Sequence, residues 1–459
     1  ENHVRRVEKR TTALGEENVR LEVKESWLGT APNVYARGRL KMKQGMDGIQ
    51  THYFYEETDQ YGALYKVTAE TRIAGESVPG LSSRKVTYVS GQGNNMRYEQ
   101  YARLADGAWS MTEASSYEYD VENRWVKRTR ANGRVYERMM TCCGPLWERD
   151  ENGVTTSYSY NTARQLVETI RSAVADGETM ITPETITSYT RDALGKITSL
   201  RRDAGPMTTV ESREYDLLGR LIRETDILGR TTVRSYSGDG LVETVTTPAG
   251  ATLITRKSPS GAVVRRYGTG QQDILYTVEA TAEGIRTTEA VPGGEGGAPR
   301  VVTGSSTVNG FGELVRIAAA NTLNGENVRT LAYDDKGRLI REQLADMAPT
   351  LYAYDAFGNR TRAIVALEDE PTILNSRITD YAYVAESRED GIYRLVSITS
   401  YTSSGTPVLQ KQAVLLSALS SVLAGKTVMT DPRGQDTVEW TEYGGGSVRL
   451  QKKTVPGVG

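Results

Sequence analysis

YDLLGRLIRETDILGRTTVRSY, running from Tyr215 to Tyr236, states one short phrase twice. Tyr215-Asp216-Leu217-Leu218-Gly219-Arg220 gives it first, and Asp226-Ile227-Leu228-Gly229-Arg230 repeats it with its glycine ten residues on. In each copy an Asp precedes a Gly by three residues, an Arg follows, and a run rich in β-branched residues begins. Asp hydrogen-bonds the backbone two residues on, and Gly takes the positive φ of a tight reversal. The β-branched run suits a pleated, half-buried surface. The unit is therefore expected to be a strand, a tight turn and a return strand, with the next turn at the far end.

The phrase recurs outward in both directions. Tyr119-Asp120 with Asn123-Arg124-Trp125, and Tyr160-Asn161 with Arg164-Gln165-Leu166, are versions without the glycine. Tyr189 to Lys196 keeps Asp192 and Gly195. Tyr333-Asp334-Asp335-Lys336-Gly337-Arg338-Leu339 and Tyr354-Asp355-Ala356-Phe357-Gly358-Asn359-Arg360 are near-complete copies. Partner turns stand between them: Asn132-Gly133, Asn152-Gly153, Pro248-Ala249-Gly250, Pro259-Ser260-Gly261, Asn309-Gly310-Phe311-Gly312 and Asp431-Pro432-Arg433-Gly434. The repeat length, about 20 residues, is what two short strands and two turns require.

The tyrosine-aspartate phrase, its Gly-Arg-Leu continuation and this spacing resemble the RHS or YD repeat of bacterial RHS proteins, Tc-toxin shells and animal teneurins. The match runs from Tyr119 to Tyr354 and continues in drifted form on both sides. The resemblance implies an all-β fold, tandem hairpins in a long antiparallel sheet coiled into a hollow shell. It also implies a toxin cargo, or a further shell chain or domain, as partner in a bacterial secreted or cell-surface setting. The alternative it offers is an extracellular adhesion or recognition module binding glycan or a partner protein. Many bacterial RHS shells end in Asp-Pro-x-Gly-Leu, used to cut off a toxic C-terminal segment by aspartyl autoproteolysis. Asp431, Pro432 and Gly434 resemble its first part, but Gln435 stands where Leu belongs, and we read them as another repeat turn.

Composition agrees with a wet sheet. Hydrophobic residues make up 38 %, with three Phe against 26 Tyr and 45 Gly, too little for a thick apolar core. The 56 basic and 58 acidic residues balance, so no global field attracts nucleic acid or anionic lipid. No apolar run reaches the ~20 residues of a membrane-spanning helix. The charged start at Glu1 carries no signal peptide, and a first residue other than Met suggests a mature form or a piece of a longer chain.

Along the chain, residues 1–118 are expected to hold degenerate repeats of the same sheet, and 119–290 the densest ones. Residues 291–308 form a Gly/Pro-rich loop around VPGGEGGAPR, and 309–459 hold further repeats with insertions near 366–377 and 384–391. Ala413 to Gly425 reads as strand, with helix as the competing reading. If each unit gives two strands, the array has about 46 of them.

Chemistry is sparse. The only histidines are His3 and His52, and no serine elbow, phosphate loop or dinucleotide fingerprint appears. The aspartates at 120, 216, 226, 334 and 355 stand singly at turns, without the alternating oxygen ligands of a calcium loop. No cofactor, metal or catalytic activity is expected. The adjacent Cys142 and Cys143 read as a reduced turn pair before Gly144-Pro145, with a vicinal disulfide as the other reading. The tyrosines read as cross-strand packing elements with hydroxyls free for water or a partner.

Overall fold

The computed structural model describes residues 4–12, 19–29, 31, 33–176, 179–292, 301–321, 325–345, 347–366, 372, 375–402, 404–418, 423–444 and 447–454. Among these lie 37 β-strands and two single-turn 3-10 helices, Val34–Ala36 and Gln60–Gly62. The count falls below the 46 expected, because the hairpins at the chain's ends are long, as in Ser376–Arg388 with Gly391–Tyr401. Strands pair antiparallel with their neighbours in sequence, for example Met207–Tyr215 with Leu221–Thr225. One detour occurs: Leu166–Arg171 pairs with Thr185–Arg191 across a separate small hairpin of Val174–Asp176 and Thr179–Thr182.

The turn follows from the phrase. Gly219 N donates to Asp216 O at 2.8 Å and Asp216 N to Arg220 O at 2.9 Å, with Gly219 at φ +74°. This is a type I turn closed by a glycine bulge. Where the glycine is missing, Asn123 and Arg164 occupy the left-handed position at φ 66° and 61°. The register slips one residue earlier, at Glu214/Tyr215, and likewise at Glu118/Tyr119, Ser159/Tyr160 and Ala353/Tyr354. The tyrosine of the phrase thus sits on a bulge, where the strand bends and twists more strongly.

The chain divides into two compact units. One comprises residues 1–138, 149–153 and 331–459, the other 139–148 and 154–330. The first contains the apolar clusters Ala63/Val86/Tyr88, Leu104/Ala385/Ile392 and Tyr393/Ala413/Val428. The middle cluster joins strands from both ends of the sequence, and Ala105 N donates to Ala385 O at 3.2 Å beside it. The second unit buries mostly small residues, among them Thr307, Ala290 and Ala318. Most side chains lie in a single layer of sheet, half-buried by their strand neighbours.

Two expectations need correcting, and the strand reading of 413–425 is met. Val301–Val308 is a strand paired with Gly284–Val291, so the loop expected over 291–308 is shorter; residues 293–300 lie outside the described residues. Val-Thr-Gly-Ser-Ser-Thr-Val carries β-branched residues on both sides of its single glycine, and these suit a strand. Residues 384–388 belong to Ser376–Arg388 and only Glu389-Asp390 turns, because the acidic side chains there are paired with Arg388, Tyr393 and Lys426. The segment around 413–425 is strand in Pro407–Ala418 and Leu423–Thr430, with 419–422 outside the described residues.

Two glycines of the second unit separate steric demand from turn geometry. Both have positive φ, +134° at Gly284 and +75° at Gly229, but a Cβ on Gly284 would also press on the Val308 carbonyl oxygen, whereas one on Gly229 would meet nothing within 4 Å. Gly284→Ala is expected to cost about 3 kcal/mol and Gly229→Ala about 1 kcal/mol, measured by urea unfolding of each variant. Equal costs would contradict this packing.

Candidate functional site

The side chains that recur in register are the turn aspartates, the arginines after them and the tyrosines before them. Asp216 Oδ1 accepts from the backbone N–H of Leu218 at 3.0 Å and of Arg220 at 2.8 Å, and Oδ2 accepts from Arg220 Nε at 2.7 Å. Asp226 with Arg230, Asp334 with Arg338 and Asp120 with Arg124 repeat this clasp. Asp355 holds Asn359 instead. Asp192 makes only the backbone bonds, because Lys196 replaces the arginine.

The arginine also reaches forward. Arg220 lies 4.4 Å over the ring of Tyr236, whose hydroxyl donates to Leu221 O at 3.1 Å. Arg338 lies 5.0 Å over Tyr354, which donates to Leu339 O at 2.7 Å. Lys196 stands over Tyr215, which donates to Ile197 O at 3.2 Å. In each case the carbonyl belongs to the residue after the cation. At Arg220, Arg338 and Lys196 the turn therefore supplies a cation and an acceptor to the tyrosine at the next turn on the same rim. Tyr55 to Leu40 O, with Arg39 over its ring, extends the rule, while Tyr119 to Asn95 O and Tyr160 to Pro145 O keep the backbone bond without a cation before the acceptor.

Sequence reasoning left the tyrosine hydroxyls free for water or a partner; here those of Tyr119, Tyr215, Tyr236 and Tyr354 are tied to backbone. It also missed the stacking role of the arginine, whose signal was its fixed place after the glycine. Tyr189 proves not to hold the seat. Arg191, directly before Asp192, takes it and donates from Nε to Leu166 O at 3.2 Å. Tyr333 ends Gly325–Tyr333 ahead of the Asp334 clasp.

Asp431 Oδ1 accepts from Arg433 N and Gln435 N, both at 2.9 Å, and Gly434 is at φ +81°. Asp431, Pro432 and Gly434 thus form a turn with the same bonds as Asp216. The difference is that its arginine sits inside the turn and bonds Oδ2 from Arg433 Nε at 3.0 Å.

Two buried polar groups of the first unit stand apart from the repeat. Glu99 accepts from Arg97 Nε at 2.7 Å, Tyr101 hydroxyl at 2.7 Å and Tyr88 hydroxyl at 3.4 Å. Burial, then the Glu99 charge, pushes Tyr88 up to about 12. Tyr393, fully buried, donates to Asp390, which also takes Lys426 Nζ at 2.5 Å. Burial raises the Tyr393 phenol as well. Such phenols stay protonated at neutral pH and act as hydrogen-bond donors, not as bases. A cleft of about 250 Å³ lies nearby between Thr112–Ala114, Arg130–Asn132 and Leu415–Ala418. Among the described residues no group of three His, Cys, Asp or Glu side chains is placed to hold a metal, and no helix is long and apolar enough to cross a membrane. His52 contacts Gln50 at 2.9 Å, and His3 lies outside the described residues.

The family model described as Teneurin YD-shell matches residues 63–370. No curated protein matches the chain. Among solved structures, a TcdB2–TccC3 complex is 11% identical with a TM-score of 0.36, over 95% of this chain and 34% of that one. A Photorhabdus luminescens Tc holotoxin pore is 11% identical with a TM-score of 0.27, over 98% of this chain and 32% of that one. The chain spans about a third of the length of these structures.

The clasp predicts an acid-labile sheet. Hydrogen bonds from the Arg220 backbone and guanidinium hold Asp216 below the ordinary carboxylate range, against the opposing effect of burial. Asp226 and Asp120 are lowered likewise, and in Asp334 the bonds from Arg338 outweigh a larger burial effect. A carboxylate whose folded pKa is depressed adds stability above its unfolded pKa, about 4, and loses it as pH falls through the folded value. Urea midpoints should be level from pH 7 to about 5 and fall steeply below about 4. Asp334→Asn should lower the neutral midpoint and flatten the acid drop; an unchanged acid limb would contradict the assignment.

Proposed function

Because the chain belongs to the teneurin YD-shell family, we propose that it forms part of the wall of a hollow β-shell that encloses a polypeptide, a toxin segment in the first instance. The observation that carries this reading is an antiparallel meander in which cation and tyrosine link one turn to the next on the same rim, at Arg220–Tyr236, Arg338–Tyr354 and Lys196–Tyr215. Such a sheet is stable without a thick core and leaves one face free to line a compartment. Its balanced charge suits an unfolded, chemically unspecified cargo. In this reading the tyrosines, aspartates, glycines and arginines of the repeat, and Asp431, Pro432 and Gly434 with them, are structural and the wall is non-catalytic. The wall is completed by further chain or domains, in a bacterial secreted or surface toxin complex.

The test is limited proteolysis of the chain within its complete natural polypeptide, followed by cryo-electron microscopy of the resistant particle. A coiled sheet around a lumen, with an internal segment cut far more slowly than the same segment free, is the expected result. A sheet that encloses nothing, with every segment cut at the free rate, would overturn the proposal.

A further inference from the structure

Neighbouring side chains on a strand point to opposite faces, so adjacent cysteines meet only where the backbone leaves the pleat. The link from Val135–Met140 to Pro145–Arg149 is such a place. Thr141 N and Thr141 Oγ1 both donate to Gly144 O, at 2.7 and 2.9 Å, and Cys143 N donates to Thr141 Oγ1 at 3.2 Å. Gly144 takes φ +148°, and a Cβ there would press on the Tyr160 hydroxyl, which in turn holds Pro145 O. The turn is therefore fixed on both sides of the cysteines. Within it Cys142 Sγ and Cys143 Sγ lie 2.9 Å apart, both free thiols, with Cys142 exposed and Cys143 half-buried.

We propose that Cys142 and Cys143 form an oxidative modification site, which a small-molecule disulfide closes into a vicinal disulfide without unfolding the sheet. The exposed Cys142 thiolate attacks one sulfur of the oxidant, forming a mixed disulfide and releasing the first small thiolate. Cys143, deprotonated by solvent, then attacks Cys142 Sγ and expels the second. Two protein thiols lose two protons and two electrons, and the oxidant is reduced to two thiols, which take up the protons. Cys142 goes first because it is accessible, while its hydrogen bond to Cys142, and then burial, raises the Cys143 thiol. Cys143 acts second because its sulfur already touches the one it must attack, and such placement replaces a bimolecular step with an intramolecular one.

The test treats the folded chain with oxidised glutathione and reads intact mass and free thiols. The expected product is lighter by about 2 Da, free of glutathione, with the change mapped to the Cys142–Cys143 peptide and reversed by reductant. Cys143→Ser should stop at one retained glutathione, and Cys142→Ser should react several-fold more slowly. The urea-unfolded chain should close at least about tenfold more slowly than the folded one. Persistent glutathione adducts on the folded wild type, disulfide-linked dimers, two thiols that remain alkylatable, or an unfolded chain that closes as fast would each overturn the proposal.

Discussion

A turn aspartate that holds its own arginine is the constraint on which this structure depends. A two-stranded hairpin is only marginally stable in water, and a single-layer sheet gives it little apolar surface to bury. The clasp ties each reversal with backbone and guanidinium bonds to one carboxylate, and fixes the arginine in a planar, stackable orientation. That orientation places the guanidinium over the tyrosine of the following turn, and the tyrosine hydroxyl then satisfies a carbonyl that the bulge leaves outside the ladder. Local turn chemistry reaches from one turn to the next in this way at Arg220–Tyr236, Arg338–Tyr354 and Lys196–Tyr215. The sheet can then extend with few residues fully buried.

The departures follow the same physics. Lysine at 196 keeps the stacking but gives up the guanidinium bond. Asparagine at 359 keeps a hydrogen bond to Asp355 without the charge. At Asn309 the polarity is reversed, with the amide donating to Glu313. Arginine at 191 replaces the aromatic ring while preserving the donor to the carbonyl. What the position requires is a donor of the right reach, and tyrosine with a cation beneath it is the most frequent way to supply one.

Much of this was legible in the sequence. The Asp-x-x-Gly spacing specified the turn and the residue with positive φ, and the repetition specified an antiparallel meander. The contact from one turn to the next was not legible, because the tyrosine and its carbonyl lie 15 to 24 residues apart and only the sheet brings them together. The same gap hid Arg191 behind Tyr189, since a one-residue offset from Asp192 decides which side chain meets the bulge. Boundaries near 301 and 384 were misplaced for a related reason: glycine or acidic composition reads as loop until the partner strand that tolerates it is known. Of the candidate chemistry, residue types showed the scarcity of catalytic groups. Residue types could not show the Glu99 and Asp390 groups, each of which takes a partner from another strand, Tyr88 and Lys426.

The most direct measurement of this account is a double-mutant cycle on Arg220 and Tyr236, using Arg220→Met and Tyr236→Leu with urea unfolding of all four proteins. If the clasp transmits order from one turn to the next, the pair will show a favourable coupling of about 1 kcal/mol. Strictly additive losses would mean that the turns are closed independently, and would contradict the chained rim on which the wall is argued to rest.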